Sequence, residues 1–142
     1  MLFGRAKRQI TRLLVVEDEP LVAFDTEHFL TDAGFEIVGT VDRVAEATAL
    51  IDSGAGIDLV LVDVSLADGS GIDVARAARG REVPVLFVTG NCPIEAEEIA
   101  TGCLAKPYAQ RDLLAAIQAI DDGLTGKATK RLPPGFRLFP QG

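Results

Sequence analysis

Cysteine and histidine are scarce: two Cys and one His in 142 residues. Cys92 and Cys103 have no metal-ligand spacing, so a zinc site is not expected. A disulfide scaffold is not expected either; both thiols are expected to be reduced, as small packed residues of a cytoplasmic protein. No apolar run approaches the ~20 residues of a membrane span. Met1 to Ile10 has no apolar stretch long enough for a signal peptide. Acids are missing from both ends, since all 21 lie between Glu17 and Asp122. A Gly-rich phosphate loop after the first apolar run is also missing, because Glu17-Asp18-Glu19 stands there and would repel phosphate. Gly54-Ala55-Gly56 precedes an apolar run instead of opening a helix, which removes the dinucleotide fingerprint.

The chain has a split charge. Arg5, Lys7, Arg8 and Arg12 precede the acidic body, and Lys127, Lys130, Arg131 and Arg137 follow it. The body holds six basic residues against 21 acids, so it is far more acidic than the net −7 suggests. Such a surface disfavours nucleic acid and suits a cation or a basic partner. The basic ends read as solubility or self-association elements. With 48% hydrophobic residues, the length suits one compact domain. We expect it over residues 12–122, with a basic N-terminal segment at 1–11 and a tail at 123–142. The Gly- and Pro-rich tail is expected to be loose, with partial docking as the alternative.

Five of the seven residues from Ile57 to Asp63 are apolar, and the run stops at a carboxylate. That pattern fits a strand buried on both faces. Similar runs occupy Arg12–Val16, Phe35–Val41, Val83–Val88 and Gly102–Ala105. Between them lie helical patterns: from Pro20 to a stop at Gly34, from Val44 with Asp42 as a possible cap, and over Ile72–Arg79, Ile94–Ala100 and Asp112–Ile120. Strict alternation predicts an α/β fold: a doubly wound, five-stranded parallel sheet with five helices.

Parallel strands end on one edge of a sheet, where open α/β folds bind ligands. Glu17 and Asp18 follow the first strand, Asp63 the third, Thr89 the fourth and Lys106 the fifth. Two carboxylates ~4 Å apart repel by about 4 kcal/mol at an effective dielectric near 20, so three need a compensating charge. A hard divalent cation such as Mg²⁺ takes oxygen ligands and shares them with phosphate oxygens. A carboxylate between that cation and an ammonium can attack a phosphoryl group, with the Thr89 hydroxyl and Gly90 N–H as further donors.

At Val15-Val16-Glu17-Asp18-Glu19-Pro20, Leu61-Val62-Asp63-Val64, Val88-Thr89-Gly90 and Ala105-Lys106-Pro107-Tyr108, the sequence resembles the receiver domain of two-component response regulators. The resemblance covers Arg12 to Asp122. It implies a flavodoxin-like strand order 2-1-3-4-5 and Asp63 as phosphoacceptor. It implies Mg²⁺ on Glu17, Asp18, Asp63 and the Ser65 backbone carbonyl, with Thr89 and Lys106 on the phosphoryl group. Ser65 and Asn91 fall where receivers tune the phosphoryl lifetime. Two positions depart from the pattern: Ala67 replaces a common proline, and Cys103 replaces the Tyr or Phe that acts as a rotamer switch. Phe87-Val88-Thr89-Gly90-Asn91 is similar to the Phe-Ala-Thr-Gly-Tyr-type subfamily, which also lacks that aromatic. Tyr108 is a candidate state-reporting aromatic or a packing residue.

The implied function is a stand-alone, cytoplasmic response regulator, monomeric or weakly dimeric, that is not an enzyme toward external substrates. It would take a phosphoryl group from a histidine kinase or phosphotransfer protein and signal by partner binding or relay. A docking face would include Leu21 and Phe24; His28 beside them reads as a surface polar residue. The alternative is a degenerate receiver that binds partners without phosphorylation. An acid-nucleophile phosphatase is disfavoured, because its nucleophile would follow the first strand with a second acid two residues on.

Overall fold

The computed structural model describes residues 8–127 and 131–140; Arg5, Lys7 and Lys130 of the basic ends lie outside them. Strands β1 (Arg12–Val16), β2 (Glu36–Val41), β3 (Leu59–Val62), β6 (Val85–Thr89) and β7 (Gly102–Ala105) pair in parallel in the order β2-β1-β3-β6-β7. This is the expected doubly wound order. A short hairpin, β4 (Ser65–Leu66) with β5 (Gly69–Ser70), follows β3. Helices α1 (Pro20–Asp32) and α5 (Gln110–Leu124) contribute Leu30, Leu113, Ile117 and Ile120 to one core layer. Helices α2 (Val44–Asp52), α3 (Gly71–Gly80) and α4 (Ala96–Ile99) contribute Ala47, Ile51, Val74, Ala78 and Ile99 to the other. All four residues of β3 are buried, as a central strand requires. Burying each such side chain contributes about 1.5–3 kcal/mol.

Several local expectations are corrected. The third strand starts at Leu59, not Ile57, because the Asp58 carboxylate turns to accept N–H bonds from Thr11 (3.0 Å) and Arg12 (2.9 Å). Asp42 does not cap α2. The cap position is Arg43, and Asp68 from the hairpin accepts the N–H groups of Val44 (2.5 Å) and Ala45 (3.2 Å). These bonds hold the Asp68 carboxyl below the usual range. The fourth helix is a single turn, Ala96–Ile99. Cys92 and Cys103 are not free thiols but form a disulfide, with Cα atoms 6.2 Å apart. The fold brings the β6–α4 loop over β7 and so places both cysteines within bridging distance.

The tail docks. Strand β8 (Phe136–Leu138) adds antiparallel to β7, pairing Leu104 with Phe136 and Gly102 with Leu138. Phe136 packs in the α1/α5 layer and Phe139 in the α2–α4 layer, so four residues grip both faces of the sheet. Gly102 makes room for this: a Cβ there would lie 2.7 Å from the Phe136 ring. Phe136→Ala should cost about 3 kcal/mol through lost burial and an unfilled cavity, read as a lowered urea midpoint. An unchanged midpoint would mean that the strand contributes nothing to stability.

Candidate functional site

The sheet ladder continues one residue beyond three strands and aims each site residue. Glu17 N–H donates to the Val41 carbonyl (2.9 Å), Asp63 N–H to Val16 (3.0 Å) and Lys106 N–H to Thr89 (2.9 Å). With Val16 opposite Val62 and Thr89 opposite Ala105, the strand ends are level. The Lys106–Pro107 peptide is cis at this corner.

Lys106 Nζ donates to Glu17 Oε1 (2.7 Å) and Asp63 Oδ2 (2.9 Å), bridging two acids with one ammonium. Glu17 is buried, with a side chain 7% exposed; Asp63 is half-buried at 12% and Lys106 at 21%. Oxygen atoms of Glu17, Asp18 and Asp63 lie within 4.8 Å of one another. Three carboxylates from two neighbouring strand ends make an all-oxygen donor set, which fits a hard cation such as Mg²⁺. Burial raises the Glu17 pKa, against the hydrogen bonds from Lys106 and from Glu19 N–H. Relative to the unfolded chain the fold penalises the ionised form, so this group's contribution to stability is lost as pH rises from the ordinary carboxylate range through that raised value. Burial works to lower the Lys106 pKa, but the bonds to Glu17 and Asp63 outweigh it and hold the value above the ordinary 10.5. Its contribution is therefore intact at neutral pH and is lost only as pH rises into the strongly alkaline range.

Thr89 is buried at the end of β6, beside Lys106. Gly90 faces open space, with no atom within 4 Å of an added Cβ, so the approach to Thr89 is clear. Ser65, the first residue of β4, and Asn91, on the loop after β6, are both exposed. Tyr108 packs against the α1/α5 layer and is hydrogen-bonded to Thr26; burial outweighs that bond and raises its phenol pKa. Its ring thus occupies a packing position beside the site. Leu21 and Phe24 are 79% and 59% exposed on α1, and the His28 ring sits 4.2 Å from that of Phe24.

The contributions of Gly71, Asp68 and Ala67 to this geometry were not foreseen. Gly71 opens α3 against the acceptor: its N–H donates to the Val64 carbonyl (2.7 Å). A Cβ there would collide with the Asp63 carbonyl oxygen and lie 2.9 Å from Val62 Cγ2. Asp68 and Ala67 tie the same loop to α2 and to the Asp42 carbonyl. A glycine at 71 was visible in Gly69-Ser70-Gly71, but the close approach that requires it was not.

The family model for the response regulator receiver domain matches residues 13–118. The chain belongs to that family, with the CheY-like flavodoxin fold. It is 37% identical over 118 residues to the sensory transduction protein RegX3 of Mycobacterium tuberculosis, covering 78% of this chain and 51% of the relative. It is 33% identical over 116 residues to the phyllosphere-induced regulator PhyR of Methylorubrum extorquens, covering 75% and 42%. The chain thus spans about half the length of these curated relatives. Among solved structures, a response regulator receiver protein from Sinorhizobium medicae superposes with a TM-score of 0.70 at 28% identity, covering 80% of this chain and 96% of that one. Chemotaxis response regulator CheY4 of Vibrio cholerae gives 0.68 at 26% identity, covering 79% and 99%. Phosphorylation and Mg²⁺ binding are typical of the family. No helix among the described residues is long and apolar enough to cross a membrane.

Proposed function

We propose that this domain accepts a phosphoryl group on Asp63 from a histidine kinase or phosphotransfer protein. One observation carries the reading: a single ammonium shared by Asp63 and Glu17, with Asp18 completing an oxygen cluster. An Asp63 oxygen attacks phosphorus as the bond to the donor nitrogen breaks. Lys106 and the Thr89 hydroxyl take phosphoryl oxygens, with the Gly90 N–H as a third donor. Glu17, Asp18, Asp63 and the Ser65 carbonyl would hold Mg²⁺, which supplies positive charge to the transferring group. The chemistry is limited to self-catalysed acceptance and hydrolysis, in the cytoplasm.

The exposed Leu21–Phe24 face of α1 suits docking of the donor's helices, and the acidic body suits a basic partner. Output is by partner binding or relay around α4, β7 and α5. Because Cys103 stands at the usual switch position, we place the domain near the Phe-Ala-Thr-Gly-Tyr-type receivers. The test is mass spectrometry after exposure to a small phosphodonor. One added phosphoryl group with Mg²⁺ and none without it supports the reading; no addition in either case refutes it. Asp18→Ala should weaken Mg²⁺ binding at least tenfold while raising apo stability slightly, since it relieves repulsion among the acids. Unchanged affinity by titration calorimetry would remove Asp18 from the ligand set.

A further inference from the structure

We propose that Cys92–Cys103 is a redox site that exchanges with an external dithiol, and that its state governs the freedom of the loop flanking the phosphoryl site. The consequence for phosphorylation rests on the phosphoacceptor reading above; the redox site itself does not.

The placement carries the argument. Cys92 stands three residues beyond Thr89, and Cys103 three residues before Lys106. The bond therefore ties together the chain leaving one proposed phosphoryl-binding residue and the strand entering the other. The ring it closes, with a separation of 11 residues, contains the whole of α4. That helix is one turn with no side-chain cap, too short to hold itself together. Its other anchors are modest: Ala96 and Ile99 in the core, an exposed Arg137–Glu97 pair, and an Arg79 bond to the Glu98 carbonyl. Ile94 within the ring is 95% exposed. Opening the ring removes the one covalent restraint on residues 90–101.

The two sulfurs differ in reach. Cys103 is fully buried among Phe87, Ile99 and the rest of the α2–α4 layer, whereas Cys92 is half-buried on the loop. A dithiol's thiolate attacks the Cys92 sulfur, the protein S–S bond breaks, and Cys103 leaves and takes a proton from solvent. The second thiolate of the dithiol then attacks its own bound sulfur, and Cys92 leaves and is protonated. Two electrons and two protons pass to the protein, and the dithiol becomes a disulfide. Re-oxidation by a small-molecule disulfide reverses both steps. Wherever the surroundings are reducing, protein disulfides are usually transient and redox-sensing, and a single surface-reachable pair fits that use.

The test compares the full chain, oxidised with glutathione disulfide or reduced with dithiothreitol. Alkylation followed by mass spectrometry counts free thiols: none expected in the oxidised sample, two in the reduced one. Hydrogen exchange of the amides of residues 90–101 should be about tenfold faster after reduction, while the amides of β1 and β3 stay unchanged. Cys92→Ser should show the fast rate under both conditions, which separates the bond from any general effect of reductant. Phosphoryl labelling and its decay, followed in parallel, should differ at least threefold between the two states. Two free thiols after oxidation, or identical exchange in both states, overturns the redox site. Labelling that is normal and decays identically in both states overturns only its link to the phosphoryl group. Labelling absent in both states overturns the phosphoacceptor reading and that link with it, and the exchange result still decides the redox site.

Discussion

Asp63→Asn should abolish phosphoryl incorporation from a small phosphodonor, with Mg²⁺ present and the fold retained. The carboxylate is the one acid touching Lys106 that also lies only half-buried, with an oxygen within the Glu17–Asp18 cluster. An amide of the same shape keeps the volume and accepts from Lys106, but it is a far weaker nucleophile and a weaker cation ligand. Glu17 cannot substitute: it is more deeply buried and held by both Lys106 and Glu19 N–H. Stability should change little in the variant, because the lost Asp63–Lys106 attraction and the relieved repulsion among the acids act in opposite directions. Undiminished labelling, measured as hydroxylamine-labile phosphate, would place the acceptor elsewhere.

Gly71→Ala should lower stability by about 3 kcal/mol or more and disable the acceptor as well. The added methyl cannot be absorbed by a side-chain rotation, since it meets the Asp63 backbone itself. Either the start of α3 moves, breaking the 2.7 Å bond from Gly71 N–H to the Val64 carbonyl, or the peptide after Asp63 moves. Both displace the carboxylate relative to Lys106. Gly90→Ala is the matched control, because an added Cβ there meets nothing within 4 Å. A urea midpoint for Gly71→Ala equal to that of the control would show that the loop relaxes freely.

The sheet and its reactive edge were legible because both follow from local pattern. Arg12–Val16 and Gly102–Ala105 read as strands with the bounds the structure has, because apolar runs stop at charged residues. Once those strands are parallel, the residues after them must share an edge, and the Lys106 bridge between Glu17 and Asp63 follows. What was not legible depends on distant chain. Asp68 caps a helix that begins 24 residues earlier, so Asp42, the local candidate, looked better. The tail offers only three residues of strand, and Phe136 and Phe139, an odd number of positions apart along it, face opposite sides of the sheet, so no apolar run on one face marks it. Cys92 and Cys103 have an uninformative spacing, and only the return of the chain through α4 brings them together. Gly71 is dictated by one neighbour's backbone, which no propensity encodes.

The added strand changes what this protein can be joined to. A five-stranded sheet of this order would leave the backbone of β7 as its outer border, a template on which another chain could build. Here the template is occupied by three residues of the protein itself, flanked by Pro133, Pro134 and Pro140 and carrying Arg137 outward. A border this short, charged and framed by prolines, which lack a backbone N–H, offers little for a further strand to grow on. Strand-to-strand growth from this side is thereby disfavoured, and contacts made here fall mainly to side chains.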